Sequence, residues 1–96
     1  MRGVYLVCYD IADDDRRRNV FRALRGLGDH LQFSVFRCEL SAREHAEMIA
    51  LLDPIIDHDT DQILIVDLGP PDGRGYECFF SLGRPYTAAT RSAIVI

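Results

Sequence analysis

The chain has 96 residues, 48% of them hydrophobic, and a formal net charge of −4. That length allows one domain with a thin stability margin, and that apolar content excludes a disordered chain. The acidic balance argues against a generic nucleic-acid coat, and no apolar run reaches the ~20 residues of a membrane span.

Residues 3–10 read as a first strand, Gly-Val-Tyr-Leu-Val-Cys-Tyr-Asp. Both of its faces are largely apolar, as in a central strand covered on both sides. Asp10 closes the run on the parity of Leu6 and Cys8, with Val7 and Tyr9 on the other. Residues 14–27 predict a helix, with Asp13 or Asp14 as N-cap and acids suited to the positive end of its dipole. Val20, Phe21, Leu24 and Leu27 form its apolar stripe, and Gly28 is placed to end it. All 11 cations of the chain are arginines, and five of them lie between Arg16 and Arg25.

Leu31 to Leu40 is extended, as one bent strand or as two short strands around a tight bend. Ser41-Ala42-Arg43-Glu44 is a capping box. His45, Met48, Ile49, Leu52 and Ile56 follow at helical spacing, and Pro54 stops or kinks that helix. Residues 57–62 read as a solvated loop and 63–68 as a strand. The turn-rich stretch 69–75 predicts a hairpin to a further strand at Tyr76–Leu82. Gly83 to Ser92 is a polar linker, and Ala93-Ile94-Val95-Ile96 a short apolar strand.

The order predicts an α+β fold, a ferredoxin-like β-α-β-β-α-β sandwich with an extra C-terminal strand. Residues 1–82 make the domain, and residues 83–96 carry the linker and terminal strand. Cys8, Cys38 and Cys78 lie in apolar runs without C-x-x-C spacing, which points to small buried hydrophobes rather than zinc ligands. The N-terminus opens directly into a strand, and the expectation is a cytoplasmic protein with no membrane association.

Asp10 is the leading candidate for chemistry. A strand that ends in a carboxylate and runs into a basic helix start offers a ligand for Mg²⁺ and arginines for a phosphodiester. One carboxylate is a poor Mg²⁺ site alone, and a two-fold homodimer packed sheet to sheet would supply a second. Arg16, Arg17, Arg18, Arg22 and Arg25 are candidate phosphate ligands, with a solvated helix face as the competing reading. Arg37 and Ser34 can reach the same cleft, and Tyr9 and Phe36 can stack on a base. Ser34 lacks a neighbouring histidine base in the sequence, so it is not read as a nucleophile.

Tyr9-Asp10-Ile11, the Asp-rich start of the arginine-bearing helix, Gln32-Phe33-Ser34-Val35-Phe36 and Asp61-Gln62-Ile63-Leu64-Ile65 together resemble the small CRISPR-associated adaptation proteins, the "Cas-two" endonuclease family. The resemblance covers nearly the whole chain. It implies a homodimer that works with an integrase subunit to capture foreign DNA, and a metal-dependent nuclease acting on RNA or double-stranded DNA. It carries Asp10 over as the Mg²⁺ (or Mn²⁺) ligand at the catalytic centre, with Tyr9, Ser34 and Phe36 as neighbours. It also implies that the terminal strand crosses to the partner protomer. One departure stands out: an acid commonly follows the Ser-Val-Phe, and this chain has Arg37. A non-catalytic DNA-binding scaffold of the integration complex, a toxin-type ribonuclease of similar fold and a small-molecule-binding regulatory domain stay open as alternatives. The last lacks support, since residues 69–75 read as a turn rather than a phosphate loop.

Overall fold

The computed structural model describes residues 1–86. Its elements are β1 (Arg2–Asp10), α1 (Asp14–Arg25), β2 (Asp29–Gln32), β3 (Val35–Ser41), α2 (Ala42–Leu52), β4 (Gln62–Gly69) and a one-turn helix, α3 (Arg74–Glu77). The strands form one antiparallel sheet in the order β2-β3-β1-β4. That is the ferredoxin-like arrangement, with β1 central as its two apolar faces require. The extended stretch resolves into two strands joined through Phe33-Ser34, with a register shift near His30.

Alternation in β1 sorts the two faces of the sheet. Val7 and Tyr9 enter a core with Val20 and Leu24 of α1, Phe36 and Cys38 of β3, and Met48 and Leu52 of α2. Leu6, Cys8 and Asp10 take the opposite, open face. Tyr5 stacks on His45 of α2 at 4.4 Å between ring centroids, so that histidine is a packing residue. The capping box forms as the sequence predicts: Glu44 N–H donates to Ser41 Oγ and Ser41 N–H donates to Glu44 Oε1. Arg2 adds an ion pair to Glu44 at 2.8 Å, and these contacts lower the Glu44 pKa, the Ser41 backbone bond most of all.

Two expectations are corrected. Tyr76–Leu82 is not a strand. Pro70 and Pro71 supply no N–H to continue a ladder past Gly69, whose φ is +90°. The chain instead folds into α3, through bonds from Gly75 N–H to Pro70 O and from Cys78 N–H to Arg74 O. Gly75 lies against Val4 so closely that a Cβ would come within 2.8 Å of Val4 Cγ2. Cys78 is exposed, not buried. The terminal strand at residues 93–96 and most of its linker lie outside the described residues.

Asp61 holds the site end of the fold together. Its side chain is fully enclosed, at 0% exposure. It takes a forked pair from Arg16, Nε at 2.8 Å and Nη2 at 3.2 Å. It also accepts the backbone N–H of Ala12 at 3.0 Å and of Asp57 at 2.8 Å. One carboxylate thus ties the turn after Asp10, the first turn of α1 and the loop into β4. Asp13 completes the corner as the α1 N-cap, accepting from Arg16 N–H at 2.9 Å.

Gly28 carries a second constraint. It is needed for close approach rather than for a left-handed turn: a Cβ there would sit 2.4 Å from Arg37 O and 2.6 Å from Cys38 Sγ. Gly28→Ala is expected to cost about 1–3 kcal/mol by overpacking, read as a lower urea midpoint. The Arg16 guanidinium holds the Asp61 carboxyl well below the usual carboxylate range. The stabilisation from Asp61 is therefore present at neutral pH and is lost as pH falls below the unfolded value of about 4. Asp61→Asn should lower the urea midpoint at about pH 7, and the gap from the parent chain should narrow at about pH 3.

Candidate functional site

Asp10 ends the central strand, paired in register with Gln62 of β4. It is exposed, and its carboxylate makes no hydrogen bond or ion pair among the described residues. Four other acids around the corner are engaged: Asp61 by Arg16, Asp13 by the helix start, Asp14 by Arg17 and Asp15 by Arg18. A free carboxylate at a strand end is a competent oxygen ligand for a hard cation. No cluster of three or more acids, histidines or cysteines suited to a metal occurs among the described residues. Asp10 thus fits a divalent cation as one protein ligand, the remaining positions falling to water, phosphate oxygens or a second copy.

Tyr9 and Ser34 are brought to the same strand end. Tyr9 N–H donates to Ser34 O at 3.1 Å. The Ser34 hydroxyl has no hydrogen-bond partner among the described residues. The Tyr9 ring is buried on the helix side, where it packs on Phe36. Burial raises the Tyr9 pKa, opposed by the charge of Arg17. The hydroxyl therefore stays protonated at neutral pH and can donate, not act as a base.

The arginines divide into separate environments. The Nε and Nη2 of Arg16 are committed to Asp61. Arg17 donates from Nη1 to Ile11 O at 3.3 Å and pairs through Nη2 with Asp14. Arg18 pairs with Asp15 at 2.9 Å across the exposed helix surface. Arg22 is exposed and unpaired among the described residues, and Arg25 lies 6.0 Å from the centroid of the Phe21 ring.

Phe36 and Arg37 do not line this region as the sequence suggests. Phe36 is fully buried, so it presents no ring face to a base. Arg37 sits on the open face, opposite Leu6 in register, and is only 5% exposed. It faces Asp29 at 3.9 Å and Glu39 at 3.8 Å, and its Nε has no hydrogen-bond partner. The physical reason is alternation: Val35 and Arg37 share one face and Phe36 takes the other. Asp61 is the site-forming residue that sequence reasoning missed. The five-residue cluster Asp57-His58-Asp59-Thr60-Asp61 reads as a solvated loop, and only the β1–β4 register brings Asp61 against Arg16.

The family described as "CRISPR associated protein Cas2" matches residues 2–72. A Rhodospirillum rubrum protein named "CRISPR-associated endoribonuclease Cas2 1" is 39% identical over 96% of this chain and 89% of its own length. A Geobacter sulfurreducens protein named "CRISPR-associated endoribonuclease Cas2" is 34% identical over the full length of both. Among solved structures, Streptococcus pyogenes Cas2 superposes with a TM-score of 0.73 at 29% identity, over 83% of this chain and 99% of that one. A chain from a partial Cas6-RT-Cas1–Cas2 complex shares the fold, with a TM-score of 0.55 at 21% identity over 72% of this chain and 81% of that one. The motifs, the sheet order and these likenesses agree, and the chain belongs to the CRISPR-associated Cas2 family.

Proposed function

We propose that this protein is an endoribonuclease of the CRISPR adaptation machinery, with Asp10 at its catalytic centre. The observation that carries the reading is the free Asp10 carboxylate at the end of the central strand, beside Asp13, Asp14, Asp15 and Asp61, which are already paired. The relatives named endoribonucleases support the choice of RNA.

The working unit is a homodimer built on the open face. Leu64 and Val66 of β4 are 53% and 43% exposed there, beside Cys8 and Leu6 in register. An apolar patch of this kind on a small chain marks an association surface. A two-fold axis on that face would set two Asp10 carboxylates near each other, where a cation relieves their repulsion.

Mg²⁺ or Mn²⁺, when bound, would activate a water and neutralise charge that builds on the scissile phosphate. Asp10 would hold that ion. The Ser34 hydroxyl lies at the same strand end as a donor, whereas the Tyr9 hydroxyl donates to Phe33 O on the helix side. Arg17, Arg18 and Arg22 would hold flanking phosphates, and Arg16 chiefly braces the corner through Asp61. An integrase subunit as partner, with duplex DNA tracked by these arginines, is the second reading. It is favoured by the unpaired, exposed Arg22, which has no part in the strand-end chemistry. A cytoplasmic location belongs to both readings; among the described residues no helix is long and apolar enough to cross a membrane.

Asp10→Asn is expected to abolish cleavage of labelled single-stranded RNA while leaving the sedimentation of the protein unchanged. Cleavage that persists in this variant or in excess chelator places the centre elsewhere. Leu64→Glu with Val66→Glu should convert the dimer to monomer in sedimentation equilibrium. A parent chain that is monomeric at micromolar concentration removes the shared-carboxylate site.

A further inference from the structure

A concavity of about 360 Å³ opens on the helix side of the sheet, between α1 and the β2–β3 hairpin. Tyr9 and Phe21 line it from the core, Arg17 and Arg18 from the helix, and His30 and Phe33 from the hairpin. Its volume is near the low end of small-ligand sites, suited to one nucleotide rather than a helix.

Phe33 is the residue that folding does not account for. It stands in the two-residue connection from β2 to β3 with 83% of its surface in water. Turns of this kind favour Gly, Asn, Asp and Ser, and nothing in the turn calls for an aromatic ring. The peptide that carries the ring is nevertheless held. Tyr9 Oη donates to Phe33 O at 3.5 Å, and His30 Nε2 lies 3.3 Å from the same oxygen. His30 is in turn fixed edge-on against Phe21, with ring centroids 5.0 Å apart. A large apolar face is thus displayed to solvent on an anchored turn.

The opposite wall carries the complementary chemistry. Arg17 and Arg18 pair with Asp14 and Asp15 at i,i+3 spacing, and both acids are about four-fifths exposed. Exposed pairs of this kind contribute little and exchange readily. A phosphate offers the same guanidinium groups more charge and a forked geometry. An aromatic face opposite two exchangeable arginines recognises a base with its phosphate. Bases in a duplex hide their faces in the stack, so the ligand must be unpaired.

We infer that this concavity is a subsite for one unpaired nucleotide, with Phe33 as the stacking platform and Arg17 and Arg18 as the phosphate ligands. This inference rests on the reading of the protein as a nuclease on RNA, and it names the feature that would select single strands. Tyr9 forms the wall between the subsite and the strand end. A strand leaving the subsite past Tyr9 meets Asp10, the next residue, on the other face of the sheet.

The test uses the full chain carrying Asp10→Asn, so that binding is read without cleavage. The probes are a fluorescein-labelled oligouridine RNA, the matching single-stranded DNA and a duplex of equal length, followed by anisotropy. Phe33→Ala should weaken both single strands about 5- to 100-fold and leave the duplex unchanged, and Phe33→Trp should restore single-strand affinity. Arg17→Gln with Arg18→Gln should weaken every probe and flatten the salt dependence by about 0.7 per phosphate contact on the single strand. Equal losses on duplex and single strand with Phe33→Ala, no loss with that variant, or no rescue by tryptophan would overturn the inference. So would conversion of Phe33→Ala to monomer, which would make the ring a contact between copies. Phe33-dependent binding in a parent chain that cleaves nothing would keep the subsite and remove the nuclease reading.

Discussion

Three chain segments meet at the carboxylate of Asp61: the turn that leaves Asp10, the first turn of α1 and the loop that enters β4. Each brings a donor that would otherwise need water, and one enclosed carboxylate satisfies all three. The arrangement is stable because the Arg16 fork supplies a full positive charge at hydrogen-bonding distance. The consequence is positional. Asp10 lies two residues before Ala12, whose N–H is pinned, and Arg17 and Arg18 follow Arg16, whose guanidinium is pinned. The clasp therefore sets where Asp10 and the first-turn arginines stand relative to each other.

The sheet then separates two kinds of chemistry. Tyr9 points to the helix side and shares a concavity with Arg17, Arg18 and Phe33. Asp10, one residue on, takes the open face with Cys8 and Leu6. The two groups belong to adjacent residues but to opposite faces of one strand. This division keeps the carboxylate from being neutralised by the nearby arginines. It leaves the Asp10 carboxylate unpaired, while Arg16, Arg17 and Arg18 pair with Asp61, Asp14 and Asp15. A nucleic acid strand that uses both must pass around the end of β1.

The open face carries the remaining constraint. Leu64 and Val66 lie exposed beside Leu6 and Cys8, and β4 is an edge strand. Covering such a face stabilises a chain whose own core is small. A second copy covering this face, as proposed above, would also double the number of carboxylates at the strand end. Arg37 belongs to this face. Here the chain buries a guanidinium between Asp29 and Glu39.

Local signals determined much of this protein from sequence alone. The apolar run to Asp10 defined the central strand, the Asp13 cap and the Val20–Leu24 stripe defined α1, and the Ser41–Glu44 box defined the start of α2. Each depends on residues within a few positions of one another, so a linear reading suffices. The place of Asp10 was legible for the same reason, as a carboxylate closing the central strand. Tertiary structure alone decided the rest. The hairpin at Tyr76 gave way to a short helix because two prolines and the fit of Gly75 under Val4 act across the sheet. Phe36 and Arg37 both lie away from the expected cleft, because strand parity depends on where the β2–β3 turn falls. Asp61, read as loop, became the clasp, and Phe33, one residue of the extended stretch, became an exposed ring on a turn. Both depend on register and packing between residues more than 20 positions apart, which no local pattern encodes.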